Sequence, residues 1–210
     1  MDRKRRNIPE TEGQVFVMIP FPDRRYQIIY ADPAWQYDDK ALAGNRGAGC
    51  KYDVMTLDEI ITLPIQNISA DDCFLFIWGT WALLPQCLNV INAWGFEYKT
   101  LGFLWTKKNK NKGGYSIGMG NYVRSNSEYC LLAIKGKPKV VSHKVTQIID
   151  TSIRKHSQKP DIVRDKIIRL CGDISRIELF ARRQVPGWDS WGAEAESPDA
   201  QMDDFVGSLR

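Results

Sequence analysis

Apolar residues in this chain fall into short unbroken runs that alternate with segments of three-to-four-residue apolar spacing, the pattern of buried strands interleaved with surface helices. Residues 27–31 (QIIYA) are apolar and β-branched and stop at Asp32-Pro33, as a buried strand does on entering a sharp turn. Residues 57–63 read as a short helix closed by Pro64, and residues 73–78 as a second buried strand broken by Gly79. A helix over 83–94 ends at Gly95, and strands over 98–106 and 128–134 follow. Pro160-Asp161 opens a helix that carries Ile162, Val163, Ile167, Ile168 and Leu170 and stops at Gly172. Residues 176–181 (RIELFA) form the last predicted strand. Strands alternating with helices predict an α/β fold with a mixed, mainly parallel sheet covered by helices on both faces. Such folds place their chemistry at the carboxyl ends of the strands.

A chain of 210 residues is within reach of one such unit. The pattern divides it into a flexible basic start (1–12), a folded domain (13–194) and an acidic tail (195–210) too poor in apolar residues to order itself. Residues 107–121, rich in Lys, Asn and Gly, carry no apolar period and read as a long, mobile, basic loop of the kind that usually serves function.

Composition narrows the chemistry. The five cysteines include no CxxC pair and the two histidines form no HExxH, so neither a disulfide framework nor a metal site is expected. No apolar run approaches the roughly 20 residues that cross a bilayer, and no apolar segment backs the basic start as a signal peptide requires. A soluble, cytoplasmic protein is the expectation. The net charge of +4 is gathered into clusters at 3–6, 107–112, 135–139, 154–159 and 182–183, which suits a polyanion whose phosphates exchange counterions for lysine and arginine.

Asp32-Pro33-Ala34-Trp35 places a carboxylate, a carbonyl behind a fixed φ and an aromatic ring at the end of a buried strand. An amine conjugated to an aromatic ring is a poor nucleophile because its lone pair is delocalised. Hydrogen bonds to the Asp32 carboxylate and the Pro33 carbonyl would draw that nitrogen toward tetrahedral geometry for direct attack on a methyl sulfonium. Trp35, as an exposed plane, would stack on the base. His156-Ser157-Gln158-Lys159-Pro160 sets a lysine just before a helix, a receptor for a carboxylate or phosphate. Residues 178–182 (ELFAR) and 187–194 (GWDSWGAE) place an acid and an arginine at a strand end suited to ribose hydroxyls. Gly113, Gly114, Gly118 and Gly120 match neither a P-loop nor GxGxxG.

In this order DPAW, GMGNYVRSNSE, HSQKP, IELFAR and GWDSWGAE resemble the signature of the MT-A family of adenine amino-methyltransferases, over residues 26–194. The resemblance implies a Rossmann-like S-adenosylmethionine-dependent methyltransferase fold with its motifs in circularly permuted order, and points to a prokaryotic or phage member acting on DNA. It implies a catalytic loop of Asp32, Pro33, Ala34 and Trp35, with Ala34 where the family has a second proline. It also implies cofactor contacts from Asp32, His156, Ser157, Lys159, Glu178, Phe180, Arg182, Gln184, Gly192, Ala193 and Glu194. On the substrate side it implies Trp35, Tyr37, Lys107, Lys108, Tyr122, Arg124 and Glu128. Three alternatives stay open: RNA as the substrate, the cytosine N4 amine as the target, and a non-catalytic nucleic-acid-binding subunit, for which Ala34 is the main support. Monomer or homodimer is not legible.

Overall fold

The computed structural model describes residues 20–36, 54–118, 120, 122–154 and 158–192. Both predicted termini, Tyr37, His156, Ser157, Ala193 and Glu194 lie outside the described residues. In chain order the elements are β1 (Tyr26–Ala31), α1 (Leu57–Thr62), α2 (Ile65–Ile68), β2 (Ser69–Gly79), α3 (Leu84–Ala93), β3 (Glu97–Lys108), β4 (Ser127–Lys135), β5 (Ile148–Ser152), α4 (Ile162–Cys171), β6 (Arg176–Leu179) and β7 (Asp189–Trp191). Among the described residues no helix is long and apolar enough to cross a membrane.

The strands form one sheet in the order β5-β3-β4-β2-β1-β6-β7. Only β4 runs against the others: it is antiparallel to both β2 and β3, while β1–β2, β1–β6, β3–β5 and β6–β7 are parallel. Six strands therefore end, and β4 begins, at the same edge of the sheet. The open α/β pattern predicts that edge as the site of chemistry.

Period-two alternation assigns the two cores. Ile29, Ala31, Leu75 and Ile77 face α1 and α3 through Ile60, Val90, Ile91 and Trp94. Ile28, Tyr30, Phe74, Phe76 and Trp78 face α4 through Val163, Ile167 and Cys171. Each Ile, Leu, Val or Phe among them, once buried, contributes roughly 1.5–3 kcal/mol of hydrophobic free energy. Helices thus cover both faces, as the alternation predicts. α1 starts at a capping box in which Thr56 accepts from the Glu59 N–H at 3.2 Å while the Glu59 carboxylate accepts from the Thr56 N–H at 2.7 Å. α3 gives way at Gly95, whose φ of +80° an L side chain rarely adopts.

Three elements go beyond the sequence expectation: α2, β5 and β7. The last strand also stops at Leu179, because Phe180 turns into the left-handed region with φ +59°.

Candidate active site

At the carboxyl edge, β1 delivers Asp32, β3 delivers Lys107, and the start of β4 delivers Glu128. The segment entering α4 delivers Lys159 into the same place. Its ammonium lies 2.8 Å from the Asp32 carboxylate and 3.4 Å from Glu128, and stands 5.5 Å above the Trp78 ring. Lys107 completes the row, 2.5 Å from the other oxygen of Glu128. The motifs DPAW and HSQKP, 127 positions apart at their charged members, therefore share one site.

The charges shift one another. Burial raises the Asp32 carboxyl above its ordinary range; Lys159 opposes this, Glu128 adds to it, and Arg182 is close enough to act in the lowering direction. For Glu128 the same burial penalty is outweighed by Lys159 and Lys107, which hold its carboxyl below the ordinary range. Burial also works against the Lys159 ammonium, but Asp32 and Glu128 prevail and raise it. Lys159 thus stays charged between two acids, and Asp32 is the one more ready to accept a proton.

The loop of residues 32–35 is built by hydrogen bonds that the sequence did not reveal. The Trp35 N–H donates to the Pro33 carbonyl at 2.8 Å, an i→i+2 turn centred on Ala34, and the Ala34 carbonyl accepts from Met55 N–H at 2.9 Å. The expectation of Trp35 as an exposed plane is corrected. Its ring is 8% exposed, packed in the α1/α3 core, with the indole N–H donating to the Trp78 carbonyl at 3.0 Å. A ring that large beside Leu75 and Ile77 gains more from burial than from solvent. Here it braces the loop against β2.

A second charged layer lies behind the first. Glu178 on β6 receives Arg164 Nε and one terminal nitrogen at 2.6 Å each, a bidentate pair with both side chains only 11% exposed. Arg164 also lies 5.7 Å from the Tyr30 ring centroid, and Tyr30 Oη accepts from the Trp78 indole at 2.7 Å. Asp161 gathers three guanidinium groups, from Arg154, Arg164 and Arg183. Trp78, Arg164 and Asp161 were given no functional role from the sequence. Arg164 does leave a trace there, as a charge inside the apolar stripe Val163, Ile167 and Cys171.

The other predicted residues sort by position. Lys108 alternates away from Lys107 and pairs with Asp150 at 2.5 Å toward the β5 edge. Tyr122 and Arg124 are exposed on the β3–β4 connection, beyond the charged row. Phe180 packs edge-on to Trp191, with centroids 5.5 Å apart, and Gln184 is exposed. Gly192 is required by close approach, since a Cβ there would lie 2.6 Å from both the backbone N and O of Ala181. Among the described residues no cluster of His, Cys, Asp or Glu has the makings of a metal site. Burial pushes the thiols of Cys73, Cys87 and Cys171 up to about 12, leaving no thiolate among them near neutral pH.

The site therefore offers an ammonium between two carboxylates, a turned carbonyl, and an acid and arginine at the neighbouring strand end. This donor set fits a ligand that carries an amino-acid head and a ribose. Residues 26–194 match the family described as MT-A70. The type II methyltransferase M.MunI of Mycoplasma sp is 36% identical over 200 residues, covering 87% of this chain and 82% of the relative. The N(6)-adenosine-methyltransferase catalytic subunit METTL3 of Homo sapiens is 28% identical over 176 residues, 82% of this chain but 28% of the relative. An N(6)-adenosine-methyltransferase MT-A70-like protein of Arabidopsis thaliana is 27% identical over 170 residues, 80% of this chain and 23% of the relative.

Proposed function

The chain belongs to the MT-A70 family, and from that premise we propose that it is an S-adenosylmethionine-dependent methyltransferase acting on the exocyclic N6 amine of adenine in DNA. The carrying observation is the 2.8 Å pairing of Lys159 with Asp32, which joins the two motifs at one strand edge. DNA is favoured because the likeness spans more than four-fifths of both chains for the relative named a type II methyltransferase. The human adenosine methyltransferase matches over 28% of its own length.

When bound, S-adenosylmethionine supplies a methyl carbon on a positively charged sulfur. Lys159 would hold its carboxylate and Asp32 its ammonium, Glu178 and Arg182 would hold the ribose, Ala193-Glu194 would lie near the adenine, and Phe180, Gln184 and Gly192 would add further cofactor contacts. Arg164 fixes the plane of the Glu178 carboxylate while leaving each oxygen a second lone pair for a hydroxyl donor. On the substrate side, the Asp32 carboxylate and the Pro33 carbonyl accept hydrogen bonds from the target amine and localise its lone pair. The nitrogen becomes acidic as its bond to the methyl carbon forms and the carbon–sulfur bond breaks to leave a neutral thioether, and the proton leaves toward Asp32, whose affinity for it burial has raised. Glu128, held by Lys159 and Lys107, presents a fixed negative charge to the base edge.

Purified protein with methyl-labelled S-adenosylmethionine is to be offered duplex DNA, single-stranded DNA and RNA, and the products digested to nucleosides. Label in N6-methyldeoxyadenosine is expected. Label in N4-methyldeoxycytidine, preferential labelling of RNA, or none at all overturns the reading.

A further inference from the structure

Between β3 and β4 the chain leaves the catalytic edge and returns to it, and the excursion is tied rather than loose. Lys108 bridges to Tyr115, Ser116 N–H donates to the Lys107 carbonyl at 2.6 Å, and Gly118 N–H donates to the Ser125 carbonyl at 2.6 Å. Yet it holds up apolar side chains to solvent: Tyr122 is 101% exposed, Val123 78% and Ile117 73%. Among the described residues nothing covers them. A soluble surface holds such residues singly, and a group of them on one projection marks a contact.

The surrounding charge identifies the partner. Residues 107–126 contain Lys107, Lys108, Lys110, Lys112 and Arg124 and no Asp or Glu. Lys107 and Lys108 are paired with Glu128 and Asp150, so the projection itself carries Lys110, Lys112 and Arg124 around an aromatic tip with no acid of its own, which complements a polyanion with apolar faces inside it, a nucleic-acid duplex. The projection also leaves the sheet beside Lys107 and Glu128, at the edge where Asp32 stands.

The methyl-transfer reading, on which this rests, creates the need. An adenine amine must be approached along an axis perpendicular to the base plane, and in a duplex the neighbouring bases cover that axis. The base has to leave the stack. Trp35, the aromatic next to the acid, is buried and cannot fill the gap left behind. We propose that Tyr122 and Val123 form a wedge that enters the duplex and takes the place of the extruded adenine.

The test uses the full chain. Methylated positions are first mapped by sequencing plasmid DNA treated with wild type, and an oligonucleotide carrying the mapped site is then compared as duplex, as single strand, and as duplex with an abasic site opposite the target. In the double variant Tyr122→Ala/Val123→Ala the ratio of duplex to single-strand rate falls roughly 10-fold or more, the scale of one lost base-stacking contact. The abasic partner restores most of that ratio, and Tyr122→Trp keeps it. An unchanged ratio with wild type active on duplex removes the wedge and leaves the methyltransferase reading standing. The same follows if single strand and duplex lose rate equally, or if the double variant changes only the oligomeric state in sedimentation, which would make the tip a protein contact. Wild type inactive on every nucleic acid removes both readings.

Discussion

Lys159 and Asp32 meet at 2.8 Å, and the contact affects them unequally: the lysine gains affinity for its proton, while the aspartate, despite its cationic partner, is still held above the ordinary carboxylate range by burial. A carboxyl whose folded pKa is raised contributes stability that is complete below its unfolded value and lost as pH rises through the folded one. Ionising Asp32 is therefore a cost to the fold, accepted where the proposed chemistry calls for a carboxylate.

Asp32→Asn is accordingly expected to lower turnover by on the order of 100-fold or more, the usual range for losing a positioned proton acceptor. Its melting temperature at pH 7 should be equal to or above that of wild type, with Glu128 still 3.4 Å from Lys159. Thermal melts run beside methyl-transfer rates check this. Parallel loss of stability and rate would mark Asp32 as structural.

Glu128 is one of the causes of the raised Asp32 carboxyl. Removing that like charge in Glu128→Gln lets Asp32 ionise at lower pH, so the acid limb of the kcat profile moves to lower pH. The same substitution removes a carboxyl whose folded pKa is lowered, whose contribution is present above its unfolded value and lost as pH falls through the folded one. The variant should thus be less stable than wild type at pH 7, with the difference closing in acid. A kcat profile that stays in place would show that Asp32 does not set the acid limb.

Arg164 and Glu178 form a bidentate pair, each side chain 11% exposed. Arg164→Met leaves the carboxylate buried without its partner, and unfolding in urea should register a loss of about 3–5 kcal/mol. Adding Glu178→Gln to that variant should recover much of the loss, because the uncompensated charge is then gone. If Arg164→Met alone is nearly neutral, the pair is solvated enough to be dispensable.

Ala34 sits at the centre of the i→i+2 turn from the Pro33 carbonyl to Trp35 N–H, and its φ is negative, since Phe180 is the one positive-φ residue other than glycine among the described residues. A proline ring fixes φ near the value such a turn requires. Ala34→Pro, the family's residue at this position, should stabilise the chain by about 0.4–1 kcal/mol through the unfolded state and keep the activity. A lower melting temperature would show that the loop does not tolerate the ring.

The central strands were legible because a strand buried on both faces has no polar alternation to confuse it, as in residues 27–31 and 73–78. β5 and β7 were not. The sequence IIDTS at an outer position of the sheet mixes buried and exposed residues, and DSW is three residues long, so both owe their strand geometry to pairing with β3 and β6 rather than to their own pattern. Asp32, Glu128 and Lys159 stand in motifs and Lys107 in a basic cluster that the sequence displays, but their meeting at one edge is a matter of the fold. The burial of Trp35 was not, because it depends on helices that arrive later in the chain. Nor was the position of Arg164 opposite Glu178, which needs the register of α4 against β6.

β4 alone is reversed, and with it the edge that six strands reach by ending receives Glu128 from a strand that is beginning. The arms of the β3–β4 hairpin are zipped along the sheet by their own ladder. Its crest can be lengthened, trimmed or recoloured residue by residue without moving Asp32 or Lys159. The proposed contact with the target can thus drift in evolution as an exchangeable fitting, while the row of Lys159, Asp32 and Glu128 beneath it is inherited intact.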